Sequence, residues 1–432
     1  MRRHRKRALA LGTAAGLCSA LLAGCSSNGG SSGSSSAKDD GPVTLTFWGT
    51  YGNGGNKTQT DVLSHTIFPA FEKAHPNIKI QYVDVPYDSL LQKLTTSAAG
   101  GKLPDLVRAD LGWVPKMGAL GVFAPLDQKM SDYQALAAKD YPGSVATNKF
   151  GGHFYGLPLD ANTRVQIANP AALKKAGITA PPASFDELKA AAPKLKAEKI
   201  SVFADSKLQG WDVYPWIWSA GGSVTNDDQT KATGYLNSPQ SVAGVQMLAD
   251  LYRAGSIPKL IIGDKGAVQT SDGLPKGIYA TILDGPWMTG IWAGQYPKFK
   301  PVYAPVPAGP GGSVSVVGGE DIVMASASKH QAAAETFIRF TQSADFQLAM
   351  AKTGQMSVVS ALSDQEAAAS PELEPFIKQL VTARSRPSVP QAPQIDTDLA
   401  NELTAAFQGK QTVQQALDKA AAEIDPLLTA TR

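Results

Sequence analysis

The tryptophans are the residues of this 432-residue chain whose placement first suggests chemistry. Several of them stand at predicted ends of strands or helices, beside Gly, Pro and Asp and outside apolar runs. The face of an indole ring can cover the C–H face of a pyranose, and Asp, Asn and Arg side chains can hydrogen-bond its hydroxyls. A core position is the alternative for each ring, and we assign Trp216 in PWIWSAGG to the core. The others are Trp48, Trp113, Trp211, Trp218, Trp287 and Trp292.

Signatures of metal and nucleophile chemistry are lacking in the sequence. The five histidines are scattered, and none forms the His-Glu-x-x-His pattern of a zinc protease. The Gly-Gly-Lys at residues 100–102 lacks the other positions of a phosphate-binding loop. We predict no metal, no cofactor and no catalytic residue. A carboxylate pair of a glycosidase stays open, because its members come from distant positions.

Alternating strands and helices must position these side chains. VTLTFWG, IKIQYVDV and DLVRAD read as strands separated by helices, which predicts a mainly parallel sheet with helices on its faces. Ligands of such sheets lie beyond the carboxyl ends of the strands, which places residues 48–56 and 110–113 on one rim. A second α/β region follows, with a capping box at Ser184 and Glu187, the strand IYATIL before DGPW, and a helical C-terminal third.

The N-terminus has the pattern of an export signal. MRRHRKR precedes a mostly apolar stretch too short to cross a bilayer of about 30 Å. The tetrapeptide Leu22-Ala23-Gly24-Cys25 resembles the bacterial lipobox, in which the signal is cut before a cysteine that then carries lipid. A secretory signal with a chance cysteine and a retained membrane helix are the alternatives. In each case the basic residues stay inside and the rest of the chain is exported.

The segment SSNGGSSGSSSAKDDG after Cys25 has nothing to bury and predicts a flexible tether. Cys18 leaves with the signal, so the mature chain has no thiol pair. Cleavage of the signal removes MRRHRKR and with it five of the 40 Lys and Arg residues. Fewer Lys and Arg than the 37 Asp and Glu residues then remain, so the mature protein is slightly acidic. Nothing in this balance indicates nucleic acid or an anionic surface as a partner.

The order and spacing of several segments resemble those of the bacterial extracellular solute-binding proteins of carbohydrate ABC importers, in the maltose- and oligosaccharide-binding group. The segments include FPAFEKAHPNIKIQY, PDLVRADLGWVPKMGALGVFAPLD, FYGLPLDANTRVQIANP, WIWSAGG and GGEDIVMASASKHQAAAETFIRF. The resemblance covers nearly the whole mature chain. It implies an α/β periplasmic-binding-protein fold of type II, with two hinged lobes that close on a sugar.

The resemblance also implies domain boundaries. They are a lipoprotein signal at 1–24, a tether at 25–41, an N-lobe at 42–155 and 303–341, and a C-lobe at 156–302 and 342–432. The chain would cross the hinge near residues 156–162, near 301–305, and just after Phe340.

The ligand-binding residues that the resemblance implies come from both lobes. They are Asp110 and Trp113 on the N-lobe rim, Asp160 and Asn162 on the first crossing, Trp211 and Trp287 as aromatic walls, Glu320 in the Gly-Gly strand, and Arg384 in a later loop. Two departures from the family pattern favour a short or unusually linked oligosaccharide. Ala168 stands where many relatives have tyrosine, and the helix after Gln394 lacks a tryptophan.

The implied function is capture of a sugar by a monomeric, lipid-anchored extracytoplasmic protein that delivers it to ABC permease subunits. A carbohydrate-active hydrolase and a sugar-sensing subunit of a membrane receptor are the alternatives. Unchanged sugar with a ligand-dependent thermal shift would separate a binding protein from a hydrolase.

Overall fold

The computed structural model describes residues 41–52 and 56–429. The predicted signal, Cys25 and most of the tether therefore lie outside the described residues. Within the described ranges, none of the helices combines the length and apolar character needed to cross a bilayer.

Two mixed β-sheets form the centre of the described chain. One has the strand order β2-β1-β3-β11-β6, and the other has the order β10-β7-β9-β8. We call the body around the five-stranded sheet the N-lobe and the body around the four-stranded sheet the C-lobe. The strands are β1 (Val43–Gly49), β2 (Ile78–Asp84), β3 (Leu106–Asp110), β4 (Lys149–Phe150), β5 (His153–Phe154), β6 (Leu157–Thr163), β7 (Val165–Ala168), β8 (Ser201–Ala204), β9 (Tyr279–Asp284), β10 (Val302–Ala304) and β11 (Val317–Met324).

Helices cover both sheets. They are α1 (Lys57–Val62), α2 (Phe68–Ala74), α3 (Tyr87–Ala99), α4 (Val114–Ala119), α5 (Leu126–Lys129), α6 (Tyr133–Ala137), α7 (Pro142–Ala146), α8 (Pro170–Lys175), α9 (Phe185–Ala197), α10 (Gly210–Ser219), α11 (Pro239–Arg253), α12 (Thr270–Gly273), α13 (Met288–Gln295), α14 (Gln331–Thr341), α15 (Ala344–Ala351), α16 (Ser363–Ala369), α17 (Glu374–Leu380), α18 (Ala392–Phe407) and α19 (Val413–Thr429). A π-helical turn at Leu63–Ile67 joins α1 to α2.

Each sheet has an apolar core on both of its faces. In β1, Leu45 and Phe47 are fully buried with Phe337 of α14, whereas Val107 of β3 and Val323 of β11 belong to the core on the opposite face. The alternating burial of β1 follows the two-residue period of a strand. This arrangement confirms the predicted two-lobed α/β fold.

The sheets contain more antiparallel pairing than the sequence predicts. β1 pairs in parallel with β2 and β3, and β8 with β9, but β11 runs antiparallel to β3 and β6, and β7 runs antiparallel to β9 and β10. The antiparallel strands adjoin the passages between lobes. At these passages the chain enters a sheet from the other lobe. Its strand can therefore pair antiparallel with its neighbours, because no strand–helix–strand unit fixes its direction.

The passages between the sheets lie somewhat later in the chain than the family resemblance implies. β6 contains most of residues 156–162 and pairs within the N-lobe sheet, so the chain reaches the C-lobe only at Arg164 and β7. β10 still belongs to the C-lobe sheet, and the return is complete at β11. Phe346 and Met350 of α15 remain in the N-lobe core, which places the third passage after Met350.

Trp216 is fully buried against Phe203 and Phe185 of the C-lobe, which confirms its assignment to the core. Ala168 is also fully buried in that core. A larger side chain at Ala168 would therefore enter the core. The alanine at this position does not indicate that the binding site lacks an aromatic wall.

Candidate functional site

A cavity of about 510 Å³ lies between the two lobes. It is bordered by the segments after the carboxyl ends of β1, β3 and β8, by β11, and by the N-termini of α10, α13 and α18. Ligands of α/β sheets bind at this edge because the loops that follow the strands converge there. The position agrees with the rim that the sequence predicts around Asp110.

Three carboxylates stand in one row across adjacent strands of the N-lobe sheet. Glu320 of β11 stands opposite Asp110 of β3 on one side and opposite Asp160 of β6 on the other. Directly opposed residues of paired strands project to the same face, and like charges in such positions repel each other. The register of β6 against β11 shifts between Glu320 and Asp321, which is typical of a bulge that re-aims side chains.

Arg108 compensates two members of this row. Its Nε donates to Asp160 Oδ2 at 3.1 Å, and its Nη2 lies 2.8 Å from Glu320 Oε2. Burial raises the pKa of Glu320 well above its usual range; the Arg108 guanidinium opposes this shift, and the neighbouring Asp160 adds to it. The guanidinium also donates to Thr50 and Gln355.

Asp110 is the most highly bonded carboxylate of the wall. Its Oδ1 accepts from the backbone N–H of Gly112 at 2.7 Å and from Arg386 Nη2 at 3.0 Å, and its Oδ2 accepts from the Tyr87 hydroxyl at 2.7 Å. The ring of Tyr87 lies 5.0 Å from that of Trp113. The N-lobe wall thus joins a fixed carboxylate to an aromatic pair.

The C-lobe wall is aromatic. The rings of Trp211 and Trp287 are 6.1 Å apart and tilted by 31°, so they form one continuous surface. Trp211 begins α10, and its ring reaches the N-lobe strand β11, where a Cβ on Gly318 would lie only 2.5 Å from Trp211 Cζ3. Only glycine therefore permits this approach.

Arg164 supports the same wall from behind. Its Nη2 bonds both carboxylate oxygens of Asp205 at 2.8 Å, its Nη1 donates to the backbone carbonyl of Trp211 at 3.1 Å, and its guanidinium faces the indole of Trp211 at 5.7 Å. Arg164 is the single residue between β6 and β7, and its side chain is buried. It therefore ties the first passage between the lobes to the aromatic wall.

Two ion pairs join opposite sides of the cavity. Arg386, in the segment before α18, pairs with Asp110 of β3, and both side chains are largely buried. Lys207, in the C-lobe segment after β8, pairs with Asp88 of α3 at 3.4 Å, and both of these side chains are exposed. The first pair lies inside the cavity wall and the second at its mouth.

The structure brings together most of the site residues that the sequence predicts. Asp110, Trp113, Asn162, Trp211, Trp287 and Glu320 line the cavity. Asp160 lies behind the wall as a partner of Arg108. Arg384 is an exception: its backbone pairs with Ser315 and Val317 and its side chain is exposed, whereas Arg386, two residues later, enters the cavity.

Several cavity residues had no signal in the sequence. Tyr87, Arg108, Tyr214 and Asp396 are separated by long stretches of chain and acquire their positions only through tertiary packing. Asp212 and Arg386 do lie next to residues that the sequence analysis selected. Only their closeness in sequence to those residues, on a loop or at the start of a helix, could have identified Asp212 and Arg386.

Unpaired polar atoms are the most informative feature of the cavity. Asn56 Oδ1, the Tyr214 hydroxyl and Arg386 Nε are buried, line the cavity, and have no hydrogen-bond partner in the described structure. Buried polar groups are almost always hydrogen-bonded, so unpaired ones beside a cavity are candidate partners for water or a ligand. Among the described residues there is no group of three or more His, Cys, Asp or Glu side chains that could hold a metal ion.

Comparison with known proteins gives a consistent family. The sequence pattern of the bacterial extracellular solute-binding proteins matches residues 55–348. A relative from Brucella abortus is 29% identical over 371 residues, which are 83% of this chain and 88% of the relative. The diacetylchitobiose binding protein DasA of Streptomyces coelicolor is 23% identical, with 94% of this chain and 95% of the relative covered.

A solved structure has the same architecture. The cyclic alpha-maltosyl-1,6-maltose binding protein of Arthrobacter globiformis superimposes with a TM-score of 0.73 at 26% identity, covering 90% of this chain and all of that chain. The likeness therefore extends over both lobes and over the strands that pass between them.

Proposed function

Since the chain belongs to the family of bacterial extracellular solute-binding proteins, we propose that it captures a short oligosaccharide between its lobes and delivers it to an ABC permease. Two of the relatives named above are binding proteins for saccharides. We further propose that the chain performs no catalysis on its ligand.

The observation that carries this proposal is the composition of the cavity. A flat surface of two tryptophans faces a wall of carboxylates and guanidinium groups, and buried polar atoms of both lobes lack protein partners. A pyranose presents an apolar C–H face and a rim of hydroxyls that both donate and accept. Such a ligand would use the tryptophans and the unpaired atoms at the same time.

The size of the cavity supports a short ligand. A volume of about 510 Å³ falls within the roughly 300–1,000 Å³ typical of small-molecule sites. The start of α18, with Pro387 and Pro393 nearby, borders the cavity. We therefore favour a ligand of a few rings over a long glucan.

A screen of the folded domain tests the proposal. Neutral oligosaccharides of the maltose, cellobiose, xylobiose, chitobiose, raffinose and trehalose types should include at least one that raises the melting temperature. A ligand at about 100 times its dissociation constant adds roughly 2.7 kcal/mol of stability. Chromatography of the incubated sugar should recover it unchanged; cleavage products would favour the hydrolase, and no stabilising sugar would refute sugar capture.

Closure of the lobes is part of the proposed mechanism. We place the lobe boundaries at residues 163/164, 316/317 and after residue 350, because strands and core residues change lobe at these positions. A ligand that contacts both walls would hold the lobes together. The radius of gyration from solution scattering should decrease on saturation with the ligand, and an unchanged value would argue against hinge closure.

The export and anchoring steps are proposed from the sequence. Cys25 would become the lipid-bearing N-terminus of an extracytoplasmic monomer, with residues 26–41 as a tether. Cys25→Ser should abolish lipid attachment and release the protein from the membrane fraction. Equal retention of the variant would favour an uncleaved membrane helix.

A further inference from the structure

The described lining of the cavity contains more carboxylates than basic side chains. It includes five carboxylates and only three basic side chains. The carboxylates are Asp88, Asp110, Asp212, Glu320 and Asp396, and the basic residues are Arg108, Lys207 and Arg386.

Each of these basic groups already has a carboxylate partner. Arg108 pairs with Asp160 and Glu320, Lys207 with Asp88, and Arg386 with Asp110. In the described lining, an incoming anion would therefore compete with a protein carboxylate for each of these cations. Asp212 and Asp396 are the two carboxylates left over from this pairing.

These two carboxylates occupy the N-terminus of α10, which would otherwise attract an anion. Asp212 Oδ2 accepts from the backbone N–H of Gln209 at 3.3 Å, and Asp396 Oδ1 accepts from the backbone N–H of Gly210 at 3.1 Å. The nearest cation to Asp212, Arg164 at 3.6 Å, is already bonded to both oxygens of Asp205. The free N–H groups at this helix end are thus already bonded to carboxyl groups of the protein and are not open to an anion.

Burial already disfavours the ionised form of the carboxyl groups in the cavity. It raises the pKa values of Asp212, Glu320 and Asp396 above their usual range, although nearby arginines oppose the shift. A ligand anion would add to this repulsion. The unpaired Asn56 Oδ1, the Tyr214 hydroxyl and Arg386 Nε instead offer the hydrogen bonds that neutral hydroxyls can make.

We propose that the cleft selects its sugar by charge, accepting neutral sugars and sugars that bear a protonated amine while excluding those that carry carboxylate or phosphate. This inference rests on the proposed function and adds the chemical class of the ligand. It predicts that Asp212 and Asp396, at the starts of α10 and α18, discriminate between neutral and anionic sugars.

Matched probes test the inference by calorimetric titration. For each hexose-based neutral sugar of the screen, the partners are its uronate, with a C6 hydroxymethyl oxidised to carboxylate, and its amino analogue, with one hydroxyl replaced by an amine. We expect the uronate of a binding sugar to bind roughly 100-fold more weakly or worse at neutral pH. The amino analogue should bind at least as tightly as the neutral parent.

A single substitution tests which part of the cavity discriminates against anionic sugars. Asp396→Asn keeps an oxygen that can accept from the Gly210 N–H but removes the charge, and it should recover part of the uronate affinity. Asp398→Asn, on the same helix but outside the cavity lining, removes an equal charge and should leave the discrimination unchanged. Equal effects of the two variants would attribute discrimination to net charge and overturn the assignment to the cleft.

The outcomes separate the two claims. A uronate that binds as tightly as its neutral parent overturns charge selection but leaves sugar capture intact. If no neutral or amino sugar binds, sugar capture itself is overturned, and this inference with it.

Discussion

Each wall of the cleft depends on a buried arginine that is bonded to carboxylates, but the two arginines have different roles. Arg108 lines the cavity on the N-lobe side, Arg164 lies behind the C-lobe wall, and both are buried and bonded to carboxylates. Arg108 pairs with Glu320 of the wall and with Asp160 behind it, whereas Arg164 contacts the backbone and ring of a tryptophan. The comparison shows that a buried ion pair can serve either charge balance or the placement of an apolar surface.

The walls also differ in what they leave for a ligand. On the N-lobe side, Asp110 already accepts from Gly112, Tyr87 and Arg386. On the C-lobe side, Tyr214 retains an unpaired hydroxyl beside the aromatic surface. Asp110 is thus fixed before binding, whereas Tyr214, like Asn56 of the N-lobe, retains an unpaired oxygen.

Replacing each arginine should give the largest effect. Breaking a buried ion pair leaves an uncompensated charge and costs about 3 to 5 kcal/mol. We expect such a loss in unfolding free energy for both Arg108→Ala and Arg164→Ala, measured by chemical denaturation. The two should differ in tryptophan fluorescence of the folded state, which Arg164→Ala alone should shift because Arg164 faces Trp211. Identical spectra would remove the distinction between the walls.

A pH dependence should distinguish the N-lobe from the C-lobe. Asp140 of the N-lobe is buried without a hydrogen-bond partner for either oxygen, and burial raises its pKa to about 8. Because the folded state then holds this proton more tightly than the unfolded chain, its contribution to stability is full below about pH 4 and is lost as the pH rises toward 8. The slope is at most about 1.4 kcal/mol per pH unit.

Asp140→Asn should flatten this decline, as measured by denaturation across pH 5 to 8. Asp284 of the C-lobe is the matched comparison, since burial raises its pKa only to about 6, with Arg164 opposing the shift. Asp284→Asn should alter the slope only below about pH 6. A slope unaffected by Asp140→Asn would contradict the assignment.

The tryptophans test the aromatic wall directly. Trp211→Ala and Trp287→Ala should each weaken binding of the identified sugar; we take the cost of losing an aromatic stack on a flat base, about 1 to 3 kcal/mol, as a guide. This corresponds to roughly 5- to 150-fold in the dissociation constant. Trp216→Ala is the control, because it creates a core cavity that lowers stability but leaves affinity of the folded protein unchanged. Unchanged affinity in both wall variants would move the ligand to the Tyr87–Trp113 pair.

The exposed pair at the mouth should give the smallest effect. Lys207 and Asp88 are both substantially exposed, and such pairs contribute about 0 to 1 kcal/mol. Lys207→Gln should change affinity by no more than about fivefold, and the change should shrink at high salt. Asp110→Asn, which weakens the buried pair with Arg386, should have the larger effect of the two; the reverse order would show that the mouth, not the wall, holds the lobes together.

Much of the architecture could be read from local patterns. The strand VTLTFWG and the cap at Ser184 are where the sequence predicts them, because alternation and capping act over a few residues. The rim position of Asp110 and Trp113 followed from the rule that ligands lie beyond strand ends. Trp287 lines the cavity for the same reason.

The sequence by itself determined the two α/β lobes, the aromatic and acidic character of the cleft, and the resemblance to a family. Tertiary structure decided the pairings: which strands run antiparallel, that Arg386 rather than Arg384 enters the cavity, and that Gly318 admits the ring of Trp211. Local patterns report hydrogen bonding and burial within a few residues. The register between strands far apart in sequence depends on the packing of the whole chain, and in this protein that register brings Asp110, Glu320 and Asp160 together.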